Sequence, residues 1–212
     1  MKLKAFKAHK IVRSFPPSKA PYQAYRPDLE RDFCERCAYC NLHKASITTP
    51  FEIDHFIPRK IFEGVRDDLE NDYKNLVLAC KKCNIAKGAK FTGNIKASVV
   101  ENERFYDPTT VEYNTIFYRN EFGVIASDDL KGRRMITDIK LYRPIHTLGW
   151  LCEQLAETAD KLAAAIGAEK DLSRRAILSE AKNNVLSQYF KFNRLFIAAY
   201  NNSDFSLPYE VE

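Results

Sequence analysis

The sequence predicts an α+β chain: a small strand–strand–helix core set between two cysteine knuckles, followed by a hairpin and a helical C-terminal region. Three observations carry this. Four of the six cysteines fall in the pairs Cys37-Ala38-Tyr39-Cys40 and Cys80-Lys81-Lys82-Cys83. Apolar and polar residues alternate through Phe51-Glu52-Ile53-Asp54-His55-Phe56-Ile57, the period of a strand. Beyond Pro144, apolar residues recur at helical spacing to Ile166 and again from Asp171 to about Tyr200.

Bulk properties set the class. The chain has 212 residues, 45% of them hydrophobic and 29% charged, as in soluble globular proteins. No run approaches the ~18 consecutive apolar residues of a membrane span. The start is basic but has no apolar segment after it, so a secretory leader is not expected and the cytoplasm is the default address. The net charge of +5 is unevenly spread. Between Asp72 and Glu101 stand Lys74, Lys81, Lys82, Lys87, Lys90 and Lys96 with no acid, and residues 1–27 hold Lys and Arg with no acid. Two basic blocks flanking one cysteine cluster suit a phosphate-bearing partner. In a cytoplasmic chain of this size, paired cysteines point to metal rather than to disulfides.

The elements follow in order. Residues 1–27 are rich in Lys, Pro and Tyr and read as a basic extended arm, at most partly ordered. Pro27-Asp28-Leu29-Glu30 opens a short helix, where Pro and acids suit the first turn. A strand over residues 51–57 ends at Pro58, and the acidic stretch 63–72 reads as a loop. Leu76-Val77-Leu78-Ala79 forms a second strand, and a helix starts near Cys83 and Asn84. Residues 28–108 thus form the core. Residues 109–212 form a hairpin (113–118 with 122–126, Gly123 in the turn), a helix from Asp128 to about Leu141, a helix over 144–166 stopped by Gly167, and a last helix from Asp171 to about Tyr200.

Cys37, Cys40, Cys80 and Cys83 supply the four thiolates of a closed tetrahedral zinc site, which would contribute folding energy directly. The intervening residues 41–79 exceed a simple zinc ribbon, so a functional element must lie between the knuckles. It contains Asp54 next to His55, at a strand end. A carboxylate suits a hard cation such as magnesium, and a neutral imidazole can take a proton from water.

These residues resemble the HNH nucleases of the cysteine-knuckle type. The resemblance runs from Cys37-x-x-Cys40 through Asp54-His55-x-Ile57-Pro58 to Asn75-Leu76-Val77-Leu78-x-Cys80-x-x-Cys83-Asn84-x-x-Lys87-Gly88. It implies a ββα-metal (His-Me finger) core and metal-dependent hydrolysis of DNA. His55 would be the general base, near its ordinary pKa of about 6.5. Asp54 and Asn84 would hold a catalytic magnesium or manganese ion. Asn75 would fix the loop between the strands and help orient the histidine. Asn84 stands where many members have His, and its amide oxygen also suits a hard cation. Lys87, one helical turn on, would reach a phosphate, with Lys82 and Lys90 as further substrate contacts.

Other residues are set aside: His43 as a zinc ligand not needed beside four cysteines, His9 as a solvated group of the arm, His146 as structural, and Cys34 as a stand-in should Cys37 or Cys40 not be a ligand. The aromatics between Phe105 and Phe122 read as the apolar face of a sheet. The C-terminal helices are large enough for a protein partner or a second copy of the chain. Two other functions compete: a zinc-knuckle module that grips nucleic acid without cutting, and a nuclease effector controlled by a partner. The latter resembles nuclease subunits of bacterial anti-phage defence systems, often paired with an ATPase.

Overall fold

The computed structural model describes residues 4–7 and 9–202. The described residues fall into two compact units, one ending at Tyr142 and one starting at Arg143. The boundary lies well past residue 108, because the segment after the knuckles packs back into the first unit.

In the first unit, β1 (Lys4–Ala5) is followed by an irregular stretch and a 3₁₀ turn at Tyr22–Tyr25 that leads into α1 (Arg26–Asp32). The central hairpin is β2 (Glu52–His55) against β3 (Leu76–Ala79), antiparallel, pairing His55 with Leu76 and Asp54 with Val77. Pro58 ends the first strand and caps the short α2 (Arg59–Phe62). All four residues of β3 are fully buried, because α1 packs against that strand while α3 (Lys81–Lys87) packs on β2. A strand covered on both faces needs an unbroken apolar run. Burying Leu76, Val77 and Leu78 contributes roughly 1.5–3 kcal/mol each.

The N-terminal arm is more ordered than its composition predicts. β1 pairs with β4 (Tyr118–Arg119), which pairs in turn with β5 (Ile125–Ala126) to give a small antiparallel sheet. Phe6 is buried among Tyr113 and Phe117, with ring centroids 6.0 and 5.6 Å away. Ile11 and Tyr25 are buried as well. These few apolar side chains outweigh the prolines and lysines around them.

The predicted hairpin is shorter than expected. Residues 113–116 form a helical turn, α4 (Tyr113–Ile116), because the Glu112 carboxylate accepts from the Asn114 N–H and starts a turn there. Gly123 does occupy the turn, with φ of 75°. α5 (Leu130–Ile139) is capped by Asp129, which accepts from the Gly132 N–H at 2.7 Å. Of the aromatics between Phe105 and Phe122, Phe105, Tyr113 and Phe117 are core residues.

The second unit is a pair of long helices, α6 (Pro144–Ala168) and α7 (Leu172–Asn201), packed along each other. Asp171 caps α7 by accepting from the Arg174 N–H. Gly167 does not stop α6; the helix runs one residue past it. Among the described residues no helix is long and apolar enough to cross a membrane.

Candidate active site and metal centre

The four paired cysteines converge. The sulfurs of Cys37, Cys40, Cys80 and Cys83 all lie within 4.8 Å of one another and are buried. A tetrahedral zinc with bonds of about 2.3 Å places its sulfurs about 3.8 Å apart, and Cys40 Sγ and Cys80 Sγ are 3.8 Å apart. The donor set and its spacing therefore fit zinc. Cys34 is exposed and outside the cluster, so no stand-in ligand is needed. His43 caps a 3₁₀ turn, with Nδ1 accepting from the Ala45 N–H. Lys7, from the arm, buries its ammonium beside the first knuckle and donates to the Ala38 carbonyl at 2.6 Å. Burial pushes its pKa down to about 8, against the upward pull of the Cys37 and Cys40 sulfurs.

His55 stands at the end of β2, nearly buried. Its Nε2 lies 2.9 Å from the Glu70 carbonyl oxygen. A carbonyl only accepts, so in the neutral ring Nε2 carries the proton and Nδ1 presents a lone pair. Among the described residues nothing hydrogen-bonds to Nδ1. The edges of Tyr22 and Phe62 pack on the ring at centroid distances of 4.6 and 5.5 Å. Burial lowers the His55 pKa, partly offset by the Glu70 carbonyl and the Asp54 charge.

Asn75 secures the loop that presents this carbonyl. Its side-chain oxygen accepts from the Ile57 N–H at 2.7 Å, and its amide donates to the carbonyls of Leu69 (3.1 Å) and Ile57 (3.3 Å). Leu69 immediately precedes Glu70, so Asn75 ties both sides of the histidine's surroundings together.

Two of the expected site residues are buried. Lys87 does not face a phosphate: it is fully buried, and its ammonium donates to Asp54 Oδ1 at 2.9 Å and to the His55 carbonyl at 2.8 Å. Asp54 in turn has its other oxygen engaged by the Tyr39 hydroxyl at 2.6 Å. Burial raises the Asp54 pKa while Lys87 and Tyr39 pull it down. Asp54 is thus buried with both oxygens engaged, joining the first knuckle, α3 and β2. The physical reason is alternation: Glu52 and Asp54 share one face of β2, and α3 covers that face.

Glu52 is the residue sequence reasoning missed. Its Oε2 accepts from the Asn84 side-chain amide at 2.7 Å, and both groups are half-buried. This leaves Asn84 Oδ1 and Glu52 Oε1 without hydrogen bonds among the described residues. Both side chains are half-exposed, and carboxylate and amide oxygens are donors of the kind a hard cation takes. Its place two residues before Asp54 in an alternating strand was the available signal. Of the other expected substrate contacts, Lys82 is half-buried on α3, and the Lys90 ammonium turns back onto the Ala86 carbonyl.

Residues 34–90 match the family model described as HNH endonuclease. No curated protein and no solved structure matches the chain. The first unit therefore carries an HNH domain of the four-cysteine type, spanning both knuckles and the hairpin between them. That domain implies a nuclease-type, metal-dependent function on nucleic acid.

Proposed function

We propose that the protein is a metal-dependent endonuclease that hydrolyses DNA phosphodiester bonds, with His55 as general base. The observation that carries this reading is the hydrogen bond from His55 Nε2 to the Glu70 carbonyl, which leaves Nδ1 as the basic nitrogen. Nδ1 takes the proton of the attacking water, and the Glu70 carbonyl steadies the positive charge that then develops on the ring. A divalent cation, magnesium or manganese, held by Asn84 and Glu52 would supply charge stabilisation at the phosphate and the leaving oxygen. Asp54 ties β2 to α3 through Lys87 and to the first knuckle through Tyr39. Lys82 and Lys90 are the lysines of this region assigned to the DNA backbone. Zinc on Cys37, Cys40, Cys80 and Cys83 is structural.

The test is relaxation and linearisation of supercoiled plasmid with magnesium or manganese, and with chelator. The parent should cut only with the cation, and His55→Ala should not cut while retaining fold and zinc. Cutting by His55→Ala would overturn the assignment. Binding without cutting under every cation would favour the knuckle-module reading. Control by a partner, as in anti-phage systems, is tested by copurification from the native host.

A further inference from the structure

The N-terminal arm lies outside the residues that match the HNH family model, yet it touches the surroundings of His55 at two points. Arg13 spreads its guanidinium over the loop before β3. Nη1 donates to the carbonyls of Tyr73 (2.6 Å) and Leu76 (2.9 Å), and Nη2 donates to that of Lys74 (2.9 Å). These three carbonyls flank Asn75 on both sides. The next residue, Ser14, donates through its N–H and its hydroxyl to Asp32 Oδ2, which also accepts from the Tyr73 hydroxyl. The arm, α1 and the Asn75 loop are therefore held at one node.

Tyr22 makes the second contact. Its ring meets the His55 imidazole edge-on at 4.6 Å between centroids, on an element anchored by the buried Tyr25. Tyr25 in turn packs on Tyr73, 4.9 Å between centroids. Phe62 also packs on the imidazole. Two rings and one carbonyl thus restrict the imidazole, and the arm supplies one of the rings and the clamp on the loop behind the carbonyl.

We propose that the arm is a built-in part of the catalytic centre, with Arg13 and Tyr22 as positioning residues for His55. This rests on the assignment of His55 as general base. Arg13 acts through the loop, keeping Asn75, and with it the Leu69–Glu70 backbone, in place to accept the hydrogen bond from Nε2–H. Tyr22 acts by packing, fixing the ring plane so that Nδ1 keeps its direction. Neither residue need touch the substrate, so their loss should appear in kcat and leave KM nearly unchanged. A small misplacement of a catalytic group can cost about 100-fold in rate.

The experiment uses the full chain and the plasmid assay, with kcat and KM measured separately for Tyr22→Ala, Tyr22→Phe and Arg13→Gln, alongside zinc content and thermal unfolding. Tyr22→Ala and Arg13→Gln should lose about 100-fold in kcat with zinc retained. Tyr22→Phe, which keeps the ring edge, should restore parental turnover. Imidazole nitrogen NMR should report the Nε2–H tautomer of His55 in the parent and a mixture in Arg13→Gln. Should Arg13→Gln cost folding, the Tyr22 pair decides alone, since that ring is half-exposed. Parental kcat in Tyr22→Ala, a loss expressed in KM, or equal losses in Tyr22→Phe and Tyr22→Ala would overturn the proposal. An active His55→Ala would instead sink the underlying assignment; an inactive His55→Ala beside unaffected arm variants sinks only the role of the arm.

Discussion

His55 Nε2 and the carbonyl oxygen of Glu70 lie 2.9 Å apart, and this contact divides the two nitrogens of one ring between two tasks. One nitrogen is committed to the protein; the other makes no hydrogen bond among the described residues and, on the proposed reading, serves the attacking water. Burial lowers the pKa of the ring from its ordinary value, which favours the neutral form a base requires.

The sign of the pH dependence follows. A base works unprotonated, so activity is lost as pH falls through the His55 pKa. Because that pKa lies below the ordinary ~6.5, the acid limb of kcat/KM should have its midpoint below that value. Rates measured across pH at saturating cation check this, and a midpoint well above it would count against the buried, neutral histidine.

Lys87 and Asp54 form a buried ion pair, with the lysine side chain fully enclosed. Removing one partner leaves an uncompensated charge, at a cost of about 3–5 kcal/mol. Lys87→Met should therefore lower stability by that order in denaturant unfolding. A phosphate contact would instead raise KM at unchanged stability, so the two roles separate cleanly.

A cysteine inside the cluster and one outside it make opposite predictions. Cys80→Ala should lose zinc and cooperative unfolding together, since metal binding and folding are coupled at such sites. Cys34→Ala, at an exposed position outside the cluster, should keep both. Zinc content by metal analysis, with a thermal melt, decides.

Glu52→Gln tests the cation seat. If Glu52 and Asn84 hold the cation, the concentration of magnesium or manganese needed for half-maximal cutting should rise by at least about tenfold, with zinc content unchanged. An unchanged cation requirement would return the cation to Asp54.

What the sequence made legible was local. The alternation over residues 51–57, the apolar run at residues 76–79 and the two cysteine pairs each announce themselves within a few residues, and β2, β3 and α3 lie where they point. Lys87 shows the limit. Spacing along a helix says which residues share a face, not whether that face looks inward, and here it looks onto Asp54. Glu52 was overlooked because an acid in a strand normally reads as the solvated side. The arm was misjudged for a different reason. Its partners are remote: Lys7 exchanges hydrogen bonds with Asn114, 107 residues away, and no periodicity within residues 4–25 encodes that.

The pairing of Lys4–Ala5 with Tyr118–Arg119 also sets an order of events during synthesis. The Lys4–Ala5 strand cannot find its partner until residue 119 has emerged, after both knuckles and the hairpin are out. Contacts this distant in sequence form late. A nascent chain therefore carries His55 and the four paired cysteines before the sheet that holds Lys4–Ala5 is complete.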